Sequence, residues 1–305
     1  MIALCQMYRD KFHCTLLLGH NSAALQVPGI EVIISPKFTN HADEINWIYE
    51  QFGHRRAVFL DGYEFDSSYQ KLVKKHFPFL VAIDDKGDQH IYADVVINHS
   101  PGAVDMVYTT EPSTRKAFGP SYALLRPHFL QEAKAPPRLR DGSNVFICFG
   151  GADLEHLTER TLGLLLNYDC VDAVEVVLAS AYSPQDSLSK HPKVHLHKGL
   201  NEREMITVID SCDMAIVPSS TILFEVSCLK VPCMSGFYVD NQEGIYAGYL
   251  KHNAIFGVGN FLEMSDDEYG KKLGEFILMD KNDLMKNQAL LLDGNSKERY
   301  LSLLP

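Results

Sequence analysis

Val145–Asp153, VFICFGGAD, is the stretch whose reading decides the fold. Val145–Phe149 form a short apolar strand, and Gly150-Gly151 end it in a turn that carries no side chains. A helix is expected from Asp153 onward. A Gly pair between a strand and a helix lets backbone come close to a ligand, and the helix N-terminus favours a phosphate. The G-x-G-x-x-G pattern is absent, however, and an ordinary tight turn with Asp153 as N-cap explains this stretch on its own.

Working outward, the same strand-then-helix alternation fills the chain. Apolar runs recur at Cys14–Leu18, Glu31–Ile34, Ala57–Leu60, Leu80–Ile83 and Val95–Ile97 in the first half. In the second half they recur at Ala173–Leu178, Lys193–Leu196, Met214–Val217 and Ala254–Val258. Amphipathic stretches such as Ala42–Gln51, Tyr69–His76, Leu154–Leu166 and Glu202–Ser211 lie between them. Alternating strands and helices mean βα units around mostly parallel sheets. The polar stretch Gln131–Asn144, with Pro136-Pro137 and Asp141-Gly142, separates two complete series. The expectation is an α/β chain of two Rossmann-like domains. Residues 1–130 form the first, 131–144 a hinge and 145–305 the second, and one helix over Asp280–Leu304 returns to the first domain. The N-terminus reads as helix over Ile2–Arg9 where such a domain normally opens with a strand, so the first strand of the N-domain is expected to be absent.

Length and charge agree with this division. At roughly 150 residues per domain, 305 residues suit two. The balance of 28 Lys+Arg against 39 Asp+Glu, a formal charge of −11, argues against a general nucleic-acid or anionic-membrane binder. It leaves room for an anionic small molecule held at helix N-termini. No apolar stretch approaches the ~20 residues of a membrane span, and no signal peptide is visible. The seven cysteines lack a C-x-x-C pair, which reads as reduced thiols in a cytoplasmic protein. None of the 13 histidines shows a metal-binding spacing, so neither metal nor cofactor is expected.

Three further stretches could carry chemistry. In Met214–Pro232, MAIVPSSTILFEVSCLKVP, a buried strand runs into Ser219-Ser220-Thr221 and then a helix to about Leu229. Hydroxyls and free N–H groups there make an anion pocket, and Glu225, about one turn in, suits the hydroxyls of a ribose. A capping serine plus a solvated glutamate is the plainer explanation of the same residues. In Tyr238–Gly244, YVDNQEG, Asn241 and Gln242 offer paired amides, although such a run is more often a solvated loop. In Ala57–Phe65, AVFLDGYEF, Asp61 and Tyr63 stand at the C-terminal end of a strand, the edge that faces ligands in open αβ sheets. A packed tyrosine in a type I turn explains that stretch equally well. Asp84-Asp85 follow Leu80–Ile83 at the same edge.

Taken in order, VFICFGGAD, MAIVPSSTILFE with LKVP, and YVDNQEG resemble the nucleotide-sugar hydrolases of pseudaminic acid biosynthesis. ADVVINHS (residues 93–100) and GPSYALLRPHF (residues 119–129) resemble that family's segments closing the N-domain. The resemblance spans roughly Ile2 to Gly259. It implies the glycosyltransferase-B architecture, two facing αβ domains, with UDP on the C-terminal one. It implies hydrolysis of a UDP-linked 2,4-diacetamido-2,4,6-trideoxy sugar at the anomeric C–O bond with inversion. Gly150, Gly151, Ser219, Ser220 and Thr221 would then cradle the diphosphate and Glu225 the ribose. Asn241 and Gln242 would address the sugar or β-phosphate, with Tyr63 near the anomeric carbon.

The sequence departs from this family at one place. The family opens with a strand and a G-x-G-H-x-x-R loop whose histidine is the proposed base, and MIALCQMYRD matches the helix after that loop. No residue here inherits that role, and neither His13 nor His20 is assigned to it. Two alternatives follow: a UDP-sugar glycosyltransferase of the same fold, and a non-catalytic UDP-sugar binding protein.

Overall fold

The structure is a computed structural model, and it describes the chain except residues 24, 54–56, 151–152, 154 and 179–189. It divides into two compact units, Met1–Pro127 with Asn295–Pro305, and His128–Gly294.

The first unit carries strands β1 (Thr15–Leu18), β2 (Glu31–Ile34), β3 (Val58–Asp61), β4 (Leu80–Ile83), β5 (Val95–Asn98) and β6 (Arg115–Phe118). All pair in parallel, in two sheets: β1 with β2, and β3-β4-β5-β6. Among the described residues no strand joins β1 to β3. The helices His41–Phe52 and Ser67–His76 start where Asn40 and Asp66 accept hydrogen bonds from the N–H groups of Asp43 and Tyr69. β4 and β5 are buried along nearly their whole length, which is why both read as unbroken apolar runs. β6, RKAF, escaped the sequence reading because it is an edge strand whose first two residues face solvent.

The tail is two helices, not the single one expected. Asn282–Leu291 and Ser296–Leu301 are separated at Gly294, whose φ of +71° suits glycine and whose Cβ position lies 2.3 Å from the Leu130 carbonyl oxygen. The apolar spacing continues through the break, so periodicity alone could not show it. Ser296–Leu301 is built into the first unit: Tyr300 is fully buried, and its carbonyl accepts from the Tyr8 hydroxyl at 2.7 Å. The Tyr300 hydroxyl donates to the Tyr122 carbonyl and Arg299 to that of Ser121. Lys297 pairs with Asp10.

The second unit has one six-stranded parallel sheet made of β7 (Asn144–Ile147), β8 (Ala173–Leu178), β9 (Val194–Lys198), β10 (Met214–Pro218), β11 (Cys233–Phe237) and β12 (Phe256–Asn260). The spatial order is β12-β11-β10-β7-β8-β9. Val145, Ile147, Val174, Val176 and Ile216 form one core with Leu162, Leu165, Leu273 and Phe276 from the helices Leu157–Leu165 and Asp266–Leu278. Among the described residues no helix is long and apolar enough to cross a membrane. All seven cysteines are free thiols.

Candidate functional site

The strand order of the second unit fixes where a ligand can approach. From β7 the chain winds outward to β8 and β9, then crosses back to β10 on the other flank of β7 and winds out to β11 and β12. The C-terminal ends of β7 and β10 therefore border the point where the winding reverses, the usual crevice of an open αβ sheet. Register pairs Ile147 with Ile216, so Phe149-Gly150 and Pro218-Ser219 emerge at the same level. Two of the sequence-nominated stretches thus converge on one sheet edge.

On the β7 side, Gly150 has φ +90°, a conformation that a side chain would strain. Gly151 lies outside the described residues. Beyond it the structure corrects one expectation: the helix starts at Leu157, not at Asp153. Asp153, buried and at φ +40°, accepts hydrogen bonds from the N–H groups of Leu157 and Thr158, both at 2.9 Å. The chain's own carboxylate therefore occupies this helix N-terminus, and a phosphate there would meet a like charge.

The β10 side is the opposite case. Ser220 stands at the N-cap of the helix Thr221–Cys228, and its side chain makes no capping bond. The first N–H groups of a helix have no intrahelical partners, so an uncapped start is open to an anion. Thr221 is exposed and Ser220 half-buried at that start. Ser219 does not join them: it is fully buried, its hydroxyl lies 2.9 Å from that of Ser235, and its N–H donates to the Gly236 carbonyl. Ser219 ties β10 to β11, while Ser220 and Thr221 are left to face outward.

Glu225 is buried a turn further along. Burial pushes the neighbouring Cys148 thiol up to about 11, with the Glu225 and Asp153 carboxylates adding to the rise. Glu225, Cys148 and Asp153 are thus electrostatic neighbours around the end of β7. Across the edge, the Gln242 side-chain oxygen accepts from the Tyr238 N–H at 3.1 Å, and Gln242 is buried. Asn241 is exposed on the same short 3-10 turn, Asp240–Gln242. The sequence reading passed over Tyr238, whose hydroxyl donates to the Phe149 carbonyl at 3.1 Å and so clamps the start of the Gly150 turn. Its place at the head of YVDNQEG was the available signal.

In the first unit, Tyr63 is exposed two residues past the end of β3. Its hydroxyl donates to the Asp85 carboxylate at 3.0 Å, and the Lys86 ammonium lies 4.1 Å from its ring centre. Among the described residues, no group of three or more His, Cys, Asp or Glu is arranged to hold a metal ion.

No protein-family model matches the chain. It is similar to an uncharacterized protein of Methanocaldococcus jannaschii, 26% identical over 209 residues covering 64% of this chain and 43% of that protein. It is similar to the spore coat polysaccharide biosynthesis protein SpsG of Bacillus subtilis, 25% identical over 59% of the chain and 55% of SpsG. The chain thus spans about half the length of these two relatives. The UDP-2,4-diacetamido-2,4,6-trideoxy-beta-L-altropyranose hydrolase of Campylobacter jejuni is 24% identical over 79% of the chain and 86% of its own length. Among solved structures, Acinetobacter baumannii MurG superposes with a TM-score of 0.63 at 12% identity over 99% of this chain and 94% of that one. Arabidopsis thaliana UGT89C1 does so with 0.67 at 13% identity, over 99% and 94%. The fold is that of the glycosyltransferase-B enzymes.

Proposed function

We propose that this chain binds a UDP-linked sugar through its second unit and hydrolyses the anomeric C–O bond with inversion, releasing UDP and free sugar. The observation that carries this reading is the uncapped start of the helix Thr221–Cys228 beside the Gly150 turn, at the reversal point of the sheet. Similarity along most of the length of a UDP-sugar hydrolase supports the substrate class.

The chemistry follows from what each group can do. N–H groups at the helix start, with the Ser220 and Thr221 hydroxyls, hold the diphosphate, and the positive end of the helix dipole stabilises the charge that grows on UDP as it departs. Gly150, with Gly151, lets backbone approach the phosphates. Glu225, one turn deeper, accepts hydrogen bonds from the ribose hydroxyls. Asn241 and Gln242 address the sugar or the β-phosphate. Inversion requires a water on the face of the sugar opposite the leaving group. Its oxygen bonds to the anomeric carbon as the C–O bond to the β-phosphate breaks; the electron pair leaves with UDP, and the attacking water gives up one proton to solvent to leave the sugar hydroxyl.

Phosphorus NMR of the chain with the diacetamido-trideoxy UDP-sugar and no acceptor tests the reaction. Release of free UDP at an enzymatic rate is the expected result. Release only when a lipid or glycan acceptor is added would assign a transferase instead, and intact substrate with broadened phosphate signals would leave a binding protein. Calorimetry of UDP tests the site separately. Glu225→Ala is expected to weaken UDP by about 1.5–3 kcal/mol, the range for hydrogen bonds to a charged group. Unchanged affinity would remove Glu225 from the ribose.

A further inference from the structure

The ends of three neighbouring strands in the second unit are tied together around the open helix start. Register carries Ile147 of β7 to Ile216 of β10, and Ile216 to Met234 of β11. Phe149, Pro218 and Gly236 therefore stand at one level, two residues further along, and Tyr238 follows just past it on the β11 side. β10 lies between β7 and β11. The Tyr238 side chain and its 3.1 Å bond to the Phe149 carbonyl thus span two strand spacings, about 10 Å, across the end of β10. That end is where Ser219 gives way to Ser220 and Thr221. Ser219 fastens β10 to β11, and Tyr238 fastens β11 to β7.

The bridge is held at every joint. The Tyr238 ring packs against the core that contains Phe149, Ile216 and Phe261, and its N–H donates to the Gln242 side-chain oxygen. Burial pushes the Tyr238 phenol above its ordinary value of 10, a hydrogen bond with the Gln242 side chain works against that rise, and Asp153 and Cys148 add to it. The phenol therefore stands among the groups at the end of β7. What it grips is the peptide between Phe149 and Gly150. Glycine takes positive and negative φ about equally readily, so Gly150 by itself does not fix its turn at φ +90°. A trans peptide is planar, so pinning the Phe149 carbonyl also sets where the Gly150 N–H points. The Cβ position of Gly150 lies 3.9 Å from the Tyr238 oxygen, in ordinary contact with it.

We propose that Tyr238 is the positioning residue of the Gly150 turn: its hydroxyl holds the Phe149–Gly150 peptide so that this turn and the open start of Thr221–Cys228 meet a diphosphate together. The inference rests on the UDP reading given above, and it adds what keeps the two halves of that site aligned. A turn ordered in advance raises affinity, because the ligand no longer bears the cost of ordering it. Tyr238 acts through the backbone it grips, since its own proton is committed to the Phe149 carbonyl.

The test measures the Kd of UDP by calorimetry and, in ligand-free protein, the nitrogen-relaxation order parameter of the Gly150 amide. It compares the unmodified chain with Tyr238→Phe and Tyr269→Phe, all below the melting transition of the least stable. Tyr238→Phe keeps the packed ring and removes only the hydroxyl. Tyr269→Phe makes the same change in the core of the same unit, where the hydroxyl lies 2.8 Å from that of Thr161, and so controls for lost stability. Tyr238→Phe should raise the Kd of UDP about 2- to 10-fold, as expected for one hydrogen bond, and lower the Gly150 order parameter. Tyr269→Phe should leave both as in the parent. A Tyr238→Phe that binds UDP like a UDP-binding parent overturns the positioning role and leaves the UDP reading standing. Weaker UDP with an unchanged Gly150 order parameter would make Tyr238 a direct contact, and equal weakening in both variants would trace the loss to stability; either overturns it too. A parent that binds no UDP overturns the UDP site itself, and this inference falls with it.

Discussion

At the scale of single residues, the two helix starts around the second unit's crevice differ by one carboxylate. Asp153 fills the start of Leu157–Leu165, whereas Ser220 leaves the start of Thr221–Cys228 open. Asp153→Ala is therefore expected to cost stability, about 0.5–2 kcal/mol by analogy with side-chain caps, as two hydrogen bonds from the helix start are lost, while UDP affinity holds or rises as a negative charge leaves the crevice. Thermal melting and UDP titration of the variant check both halves, and a large loss of affinity would make Asp153 a ligand contact. The sequence made Ser219, Ser220 and Thr221 look equivalent. Only the pairing of β10 with β11 shows Ser219 turned to Ser235, because that depends on a strand sixteen residues onward. The sequence placed Asp153 at the N-cap itself; in the structure His156 holds that place and the Asp153 carboxylate reaches the helix start from upstream. Its left-handed backbone, which delays the helix to Leu157, was not legible from sequence.

Among elements, the strands buried on both faces were the easiest to read. β4 and β8 fall on the residues expected for them, because continuous apolar runs mark covered parallel strands. Edge strands hide that signal, and β6 was missed for this reason. β9, an edge of the second unit's sheet, alternates apolar Val194 and Leu196 with histidines that face a carboxylate. His195 lies opposite Glu175 in register and 2.7 Å from its carboxylate, and His197 reaches the other oxygen. Burial works against the Glu175 charge, but hydrogen bonds from His197 and His195 outweigh it and hold the carboxyl below its ordinary value of 4.5. A group lowered in this way stabilises the fold above its unfolded value and loses that contribution as pH falls through the folded one. Glu175→Gln should thus be less stable than the parent at neutral pH, and the gap should close in acid. Urea unfolding of both proteins on either side of that range measures it; a gap that persists in acid would contradict the pairing. Such charged edges also discourage pairing with a second chain.

For the whole molecule, the proposed division of labour gives UDP to the second unit. Hydrogen exchange with UDP should slow amides at Gly150 and in Thr221–Leu223 and leave those of β3 to β5 unchanged, since a ligand protects what it binds. Protection of β3 to β5 by UDP in place of the second unit would contradict the assignment. The αβ class was legible throughout the sequence because the strand–helix alternation is local. The break at Gly294 was not, because it depends on the Leu130 carbonyl, far away in the chain.

The make-up of the two units also sets a timetable. The second is a single continuous segment, His128–Gly294, whereas the first needs Asn295–Pro305 to bury Tyr300 against Tyr8 and Tyr122. Ribosomes deliver residues in order at about 5–20 per second. The half synthesised first must therefore wait through the making of the other half before its last helix emerges. During that interval it is the stretch of chain that most needs a chaperone. A premature stop just before Asn295 would spare the second unit and strand the first.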